Sequence, residues 1–212
     1  MLQELNARSK EVGLKINASK SKVMQSAGMP RAHIQVDGKF LEEVDSYVYL
    51  GQEINMRHDH LPEVLRRRAA GWRAFYSIAD ILKGATRKSR SHLFNTTVLK
   101  AMTYGSETWS LTKAEEQKLA VAERAMERRI LRVSLRDHIK NRTLRQMSGL
   151  ADIVTTIRES KFRWAGHIAR LADNRWTTRI TEWYPRDFRR PLGRPPRRWS
   201  ECLDTAVGMC WK

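Results

Sequence analysis

The spacing of apolar residues changes near residue 55, and this change predicts a small β region followed by helices. Before that point, short β-branched segments flank Asp37-Gly38, a dipeptide typical of two-residue hairpin turns. The segment from Ser46 to Gly51 alternates in polarity as a strand does. We therefore predict a short helix at residues 1–12 and a small antiparallel β region at residues 14–54.

Four helices are predicted after this region, because apolar residues then recur at a period of 3.6. The first begins after Asp59, a capping residue, and ends at Gly84. A second spans residues 87–102, a third opens with a capping-box pattern at Thr112, and a fourth spans residues 152–171. The predicted inward-facing residues are Leu61, Leu65, Ala69, Trp72, Phe75, Ala79, Leu82, Leu119, Ala122, Met126, Ile130, Val133, Ile153, Ile157, Trp164, Ile168 and Leu171. The predicted fold class is α+β, predominantly α-helical.

Charge points to a polyanionic partner. The chain has 40 Lys and Arg against 23 Asp and Glu, a net charge of +17, and the excess is larger in the last 100 residues. No apolar run approaches the roughly 18 residues that cross a bilayer, and the N-terminus lacks a signal-peptide pattern. We therefore expect RNA or DNA as partner, no membrane association, and an intracellular location, nuclear or cytoplasmic. Two cysteines cannot form a disulfide scaffold.

Basic residues on the predicted helices and in the tail are the candidates for phosphate contact. Arg124, Arg128 and Arg132 recur every four residues as one ridge, and the repulsion between them must be offset either by Glu123 and Glu127 or by phosphates. Both interpretations stay open. The predicted nucleic-acid-binding residues are Lys22, Arg66, Arg67, Arg73, Arg124, Arg128, Arg132, Arg189, Arg190, Arg194, Arg197 and Arg198. The arginines of the first long helix are predicted on its solvent side, where a merely solvated face is the alternative.

The Pro/Arg-rich stretch at residues 184–198 is predicted to be extended, because each residue before a proline avoids the α region. Such a segment can lie in a narrow minor groove of DNA, or it can be a covering segment packed by Trp199. Trp164, Trp176 and Trp183 can stack on bases, but their helical spacing favours a place in the core. The sequence contains no phosphate-binding P-loop, nucleophile elbow or zinc-protease motif, and we predict no metal site.

Four segments, in order along the chain, carry a family resemblance. They are Gly13 to Met24, with the pattern G-L-x-I-N-x-x-K-S; Val44 to Ile54, with a Y-L-G core; Tyr104 to Trp109, with Y-G-x-E-x-W; and Arg163 to Arg170 together with Gly193 to Trp199. In these segments the chain resembles the C-terminal part of reverse transcriptases of non-LTR retrotransposons, the RTE-like clade in particular.

This resemblance implies three parts. Residues 1–56 would be the end of the reverse transcriptase palm with a primer-grip-like hairpin, residues 57–112 a thumb-like helical bundle, and residues 113–212 a basic helical C-terminal domain with an Arg/Pro-rich tail. Tyr49, Leu50 and Gly51 match the primer grip. Lys20 matches a lysine proposed in related polymerases to protonate the pyrophosphate leaving group, so it is a possible leaving-group acid by analogy.

The same resemblance implies that this chain has no complete catalytic set. The F/Y-A-D-D motif, whose carboxylates hold the metal ions, does not occur in the 212 residues, so Mg²⁺ is expected only for the intact family enzyme. We expect a non-catalytic fragment that binds an RNA/DNA template-primer, or an RNA–DNA hybrid, largely through phosphates. Two alternatives stay open: an independent basic DNA-binding module in which the Arg-rich tail carries the affinity, and a non-functional truncated relic.

Overall fold

The computed structural model describes residues 1–25, 33–57, 59–171, 175–183 and 198–208. It confirms the predicted fold class, since helices dominate and a few short strands lie near the N-terminus. The helices are α1 (Leu2–Glu11), α2 (Leu61–Gly84), α3 (Arg87–Leu93), α4 (Leu99–Thr103), α5 (Lys113–Leu131), α6 (Asn141–Ser148), α7 (Ile153–Ala169), α8 (Trp176–Glu182) and α9 (Glu201–Val207). The strands are β1 (Lys22–Val23), β2 (Gln35–Val36), β3 (Lys39–Phe40), β4 (Glu42–Glu43), β5 (Ser46–Tyr49) and β6 (Gln52–Asn55). A π-helical turn, Phe94–Val98, joins α3 to α4.

The chain folds as two compact units, Met1–Glu63 and Val64–Lys212. The first contains α1 and the strands, and the second contains the helices that follow. The three-part division of the sequence stays a prediction, and the core of the second unit draws residues from both sides of residue 112.

Two hairpins of the first unit are confirmed as predicted. β2 and β3 are antiparallel and joined at Asp37-Gly38, where φ is +51° and +73°. Asp37 accepts hydrogen bonds from Asn6 Nδ2 at 2.8 Å and Lys10 Nζ at 2.5 Å, which tie this turn to α1. The Lys10 hydrogen bond also holds the pKa of Asp37 below its ordinary value. β5 and β6 form the second antiparallel hairpin.

The pairing of β1 with β4 is parallel, so the prediction of antiparallel pairing throughout is wrong for this pair. Lys22 pairs with Glu42 and Val23 with Glu43. The β2–β3 hairpin lies within the connection between the two strands, and a connection of this length lets the chain return in the same direction.

The core of the second unit lies between α2, the α3–α4 segment, α5 and α7. Its buried side chains include Val64, Phe75, Leu82, Phe94, Val98, Met102, Trp109, Leu119, Met126, Ile153 and Ile157. The capping predictions are confirmed: Asp59 accepts from Leu61 N at 2.9 Å, and Thr112 and Glu115 form the capping box of α5. Asp152 caps α7 by accepting from Thr155 N at 2.9 Å.

The first turns of α2 bury a different side from the predicted one, whereas Phe75 and Leu82 further along are buried as predicted. Leu65 and Ala69 are exposed, whereas Val64 and Arg67 are buried. The cause is the close approach of α2 to α4 at Gly71, where an added Cβ would lie 2.2 Å from Met102 Cγ. A Cβ at position 71 would displace the Met102 side chain, so glycine lets Met102 pack on the side of α2 that also carries Val64 and Arg67.

The prediction for α7 is wrong at Trp164, whose side chain is 39% exposed. The buried row of α7 runs instead through Ile157, Lys161, Ala165 and Ile168, at helical spacings of three and four residues. Trp164 lies to one side of this row, where its ring centroid is 6.4 Å from that of His167.

Candidate nucleic-acid interface

A cationic pocket lies where α5 meets α6. Its volume is about 430 Å³, and its lining residues are Arg124, Asn141, Arg142, Arg145, Gln146 and Asp152. The short helix α6 buries Leu144 and Ser148, one turn apart, and ends at Gly149 in the left-handed conformation. This orientation leaves Arg142 exposed and Arg145 half-buried.

Two arginines of this pocket form no ion pair within the described part of the chain. They are Arg124 of α5, which is half-buried, and Arg142 of α6. Beside them, Arg128 donates to Asn141 Oδ1 at 3.1 Å and so links α5 to α6 at the pocket edge. A guanidinium group presents donors in a fixed fork that matches phosphate oxygens, so this pocket can hold a phosphate group.

Arg145, at the back of the same pocket, is already paired. Its Nη2 lies 2.6 Å from Glu123 Oε2 and 3.3 Å from Asp152 Oδ2, and its Nη1 lies 3.3 Å from Glu127 Oε1. Both glutamates are fully buried. Ser148 Oγ donates to Glu127 at 2.7 Å, and the backbone N–H of Ile153 donates to Glu123 at 3.2 Å. We call these four charged residues the Arg145 cluster.

Burial has the largest effect on the pKa values of the two glutamates. It raises the pKa of Glu123 from its ordinary 4.5 to about 7, against the opposing hydrogen bond and charge of Arg145. Burial also raises the pKa of Glu127, against the opposing effects of Ser148, Arg145 and Arg124. One oxygen of each carboxylate, Glu123 Oε1 and Glu127 Oε2, has no hydrogen-bond partner among the described residues. The cluster therefore holds more carboxylate than its single arginine can neutralise.

The predicted arginine ridge on α5 is only partly formed. Arg124 and Arg128 lie one turn apart and are half-buried. Arg132 lies one residue beyond the helix, with a φ of +57°, so the helical spacing that the ridge prediction assumed ends at Leu131. Glu123 and Glu127 pair with Arg145 and form no ion pair with the ridge.

A groove between α2 and α5 forms a second cationic surface. Its volume is about 520 Å³, and it is lined by Leu65, Arg68, Ala69, Trp72, Arg73, Lys118, Val121, Ala122 and Ala125. None of these lining residues is acidic. At one side, Trp72 stacks on Tyr76 with ring centroids 5.7 Å apart, and the Arg129 guanidinium lies 5.1 Å and 5.5 Å from the two ring centroids.

Two of the three predicted phosphate-contacting arginines of α2 are not on an open surface. Arg67 is buried, with its guanidinium 4.5 Å from the centroid of the Tyr104 ring, so its predicted place on the solvent side is wrong. The packing of Met102 at Gly71, on the side of α2 that also carries Arg67, is the physical reason. Arg66 is half-buried, and Arg73 is exposed at the groove.

The segment from Tyr104 to Trp109 forms a tight turn that joins distant parts of the second unit. Lys161 Nζ of α7 donates to the Trp109 carbonyl at 3.0 Å. Trp199 Nε1 donates to the Glu107 carbonyl at 2.6 Å, and Lys161 Nζ lies 5.3 Å from the centroid of the Trp199 ring. Trp199 thus packs against this turn, as the covering interpretation of the tail predicts for that residue.

The remaining tail residues are only partly described. Arg189, Arg190, Arg194 and Arg197 lie outside the described residues, as does the stretch predicted to be extended apart from Arg198. Arg198 is exposed, next to Trp199.

The predicted primer-grip residues form the turn of the β5–β6 hairpin. Tyr49 pairs with Gln52, and Leu50 and Gly51 have φ values of +48° and +80°. Tyr49 and Leu50 are exposed, so neither side chain belongs to the core of a strand pair. Glycine adopts this conformation freely, whereas an L-residue such as leucine is strained there by roughly 1–2 kcal/mol.

The two lysines predicted near the N-terminus have different surroundings. Lys20 is exposed in a turn, where its N–H donates to the Asn17 carbonyl at 3.1 Å and its own carbonyl accepts from Tyr47 at 3.2 Å. Lys22 is half-buried and forms an ion pair with Glu42 across the β1–β4 pair. The structure therefore offers Lys20, and not Lys22, as an exposed ammonium group.

The residues that sequence reasoning missed are Arg129, Asn141, Arg142 and Arg145. A signal for Arg145 was present, because Glu123 and Glu127 fall on the apolar stripe of α5 that contains Leu119 and Met126, which indicates buried carboxylates in need of a cation. Arg142 gave no such signal, because only the packing of α6 places it beside Arg124.

No group of three His, Cys, Asp or Glu side chains in the described residues is arranged to hold a metal ion. No helix within those residues combines the length and apolar composition that crossing a membrane requires.

Comparison with known proteins gives a relative over nearly the whole chain. A putative uncharacterized transposon-derived protein of Caenorhabditis elegans is 38% identical over 217 residues, which cover 96% of this chain and 76% of that protein. No family model matches the chain, and no solved structure matches it either. Identity at this level over nearly the full length reflects common descent. The chain belongs to a family of transposon-derived proteins.

Proposed function

We propose that this chain binds RNA, DNA or an RNA–DNA hybrid through backbone phosphates, without reading sequence. We further propose that it does so as the non-catalytic C-terminal part of a reverse transcriptase of a non-LTR retrotransposon, of the RTE-like clade. The transposon-derived relative supports the origin of the chain. The order of the four sequence segments supports the enzyme class.

The observation that carries the binding proposal is the pair Arg124 and Arg142. These two guanidinium groups share one pocket and form no ion pair among the described residues, although Arg145 beside them is neutralised by three carboxylates. In a protein of net charge +17, two guanidinium groups that line one pocket without an ion pair form a site suited to an anion. A phosphate group would supply the missing charge and the acceptors.

The α2–α5 groove supports the same conclusion from a second place. Arg68, Arg73 and Lys118 line it without an acidic neighbour among the lining residues. Arg and Lys side chains mostly contact the phosphates and sugars of a nucleic acid, and such contacts fix its position without reading its bases. We therefore infer binding that depends on charge and shape, and little on sequence.

The first unit supports the finer assignment. The Tyr49-Leu50-Gly51 turn is tight and exposed, as a hairpin that contacts a primer terminus through its backbone would need to be. In the intact family enzyme, Lys20 would act as a leaving-group acid and Mg²⁺ would bind to carboxylates of the palm. We propose no polymerase activity for these 212 residues, because they lack the motif that supplies those carboxylates.

The salt dependence of binding tests the proposal. The full chain is titrated against a labelled RNA–DNA duplex at salt concentrations from about 50 to 200 mM, where log K falls by about 0.9 per neutralised phosphate for each unit of log salt on B-DNA. We expect the double variant Arg124→Ala/Arg142→Ala to bind more weakly. Its salt slope should be smaller in magnitude by roughly 1.8, because two phosphate contacts are lost.

The matched control removes the same charge elsewhere. Arg8 pairs with Glu11 and Lys83 pairs with Asp80, both at exposed positions, so Arg8→Ala/Lys83→Ala lowers the net charge equally without touching the pocket. We expect the control to keep the wild-type slope. Equal slopes for both double variants would remove the pocket from the proposal, and undetectable or salt-insensitive duplex binding by the wild type would refute nucleic-acid binding altogether.

A further inference from the structure

The helix α8 presents large apolar side chains to solvent. Trp176 is 74% exposed, and Ile180 and Trp183 are each 69% exposed. Trp176 and Ile180 are four residues apart, and Trp183, the C-cap residue, follows three residues later, so the three lie on one side of the helix. The expectation that Trp176 and Trp183 belong to the core is therefore wrong. Exposed tryptophans grouped in this way indicate a binding surface, because a soluble chain gains nothing by hydrating them.

The spacing of the two tryptophans along α8 fits a nucleotide strand. Trp183 follows Trp176 by seven positions, which corresponds to a rise of about 10 Å along the axis. An indole offers a flat π surface on which any base can stack, and two tryptophans attached at this spacing can take two bases of one strand. Arg179 already lies over the Trp176 ring, with its guanidinium carbon 5.5 Å from the ring centroid, so a cation accompanies the first indole.

Charge favours a polyanion over the other occupants of an apolar surface. Residues 175–198 contain eight arginines and two acidic residues. A second copy of this chain is disfavoured, since each copy carries a net charge of +17.

We propose that Trp176 and Trp183 form a stacking site for unpaired bases of single-stranded RNA or DNA. This inference rests on the proposed function, and it adds a second mode of binding: phosphate contacts at the α5–α6 pocket hold a duplex, and α8 holds an adjoining single strand. Bases within a duplex are already stacked on each other, so the site discriminates between the two forms of nucleic acid.

The test replaces the π surfaces and keeps the apolar character. Three forms of the full chain are compared: wild type, Trp176→Leu/Trp183→Leu, and Trp176→Phe/Trp183→Phe. Each is titrated with labelled oligothymidine and with an RNA–DNA duplex of equal length. Because stacking is worth about ten-fold or more in affinity for each base, we expect the leucine variant to lose roughly a hundred-fold on the single strand. The phenylalanine variant should recover most of this loss, and duplex binding should change by less than about three-fold, which is within the loss of one weak contact.

The other outcomes would overturn either the stacking site or the proposed function. If the leucine variant binds oligothymidine as the wild type does, the stacking site is refuted while the proposed function stands. If both variants lose single-strand and duplex binding equally, with altered circular dichroism, the tryptophans are structural and the inference is again overturned. If the leucine variant keeps oligothymidine binding but binds phosphatidylserine vesicles more weakly than the wild type does, α8 is a membrane-contact surface and the stacking site is refuted. Absence of duplex binding by the wild type would instead count against the proposed function.

Discussion

Two groups of charged residues on the same pair of helices have opposite surroundings. The Arg145 cluster places one arginine among three carboxylates, two of them fully buried. A few residues away, Arg124 and Arg142 have no ion pair among the described residues. Both groups lie where α5 meets the segment that follows it. The first is negative in excess and has two fully buried glutamates, and the second is positive in excess, with Arg124 half-buried and Arg142 exposed.

The difference shows that residue type does not decide the role of a charge in this protein. Arg142 and Arg145 are three residues apart on one short helix. Arg145 pairs with the buried glutamates of α5 and so stabilises the packing of α6, whereas Arg142 is exposed and forms no ion pair among the described residues. Variants at position 145 should therefore change stability, and variants at position 142 should change binding. If both kinds of variant have the same effects, the distinction between the two arginines is wrong.

Arg145→Ala should have the largest effect. Removing the single cation leaves Glu123 and Glu127 buried and unpaired, and breaking a buried pair in this way costs about 3–5 kcal/mol of unfolding free energy. Urea denaturation followed by circular dichroism measures this loss. A destabilisation below about 1 kcal/mol is the size expected for an exposed ion pair. It would show that the buried glutamates do not depend on Arg145 for stability.

A triple variant separates the loss of charge pairing from the loss of packing. In Arg145→Met/Glu123→Leu/Glu127→Met the charges are removed together, and apolar residues of similar volume replace them. Such replacements are often neutral or stabilising, so most of the stability lost in Arg145→Ala should return. If the triple variant is as unstable as Arg145→Ala, packing at position 145 and not charge neutralisation holds α6 in place.

Stability should also fall as pH rises from about 4.5 to about 7. In this window the unfolded chain loses the Glu123 proton while the folded chain keeps it, because the pKa is raised from 4.5 to about 7 in the folded state. The folded state then binds more protons, so the stabilisation present below pH 4.5 is lost, by about 3 kcal/mol in total at 1.36 kcal/mol for each pKa unit. Thermal unfolding across this pH range measures the slope of the unfolding free energy against pH.

Glu123→Gln is the control for the pH effect. Glutamine has the same shape and no titrating proton, so the variant should lose most of the slope between pH 4.5 and pH 7 and keep the slopes outside it. Glu127, whose pKa burial also raises, contributes the remainder. An unchanged slope in this variant would assign the pH dependence to another group and weaken the view of the cluster as an excess of buried carboxylate.

The sequence predicts α2, α5 and α7 well, because the signals that start them are local. Asp59 and Thr112 cap α2 and α5 as predicted, and Asp152, the first residue of the predicted fourth helix, caps α7. α6 and α8 were missed, since helices of seven or eight residues have marginal stability alone and form through tertiary contacts. The side that the first turns of α2 bury was missed for a related reason, as Met102 packs there at Gly71.

The candidate site was predicted less completely than the fold. Arg124 and Arg128 were found from their helical spacing, but Arg142 and Arg145 were not, because the partners of Arg145 lie up to 22 residues away in the sequence. Arg67 was misplaced because charge alone suggested a solvent-facing side chain, whereas the Tyr104 ring covers it. Charge composition shows how many cations the chain has, and packing decides which of them are exposed and which are buried.

Arg142→Ala alone should have the smallest effect on stability. Its side chain is exposed and forms no ion pair among the described residues, so the unfolding free energy should change by less than about 0.5 kcal/mol. Binding should respond differently, because loss of one phosphate contact lowers the magnitude of the salt slope by about 0.9. Both quantities are measured on the same preparation, by urea denaturation and by duplex titration. A large loss of stability would place Arg142 with Arg145 as a structural cation, and an unchanged slope would mean that the open half of the pocket contacts no phosphate.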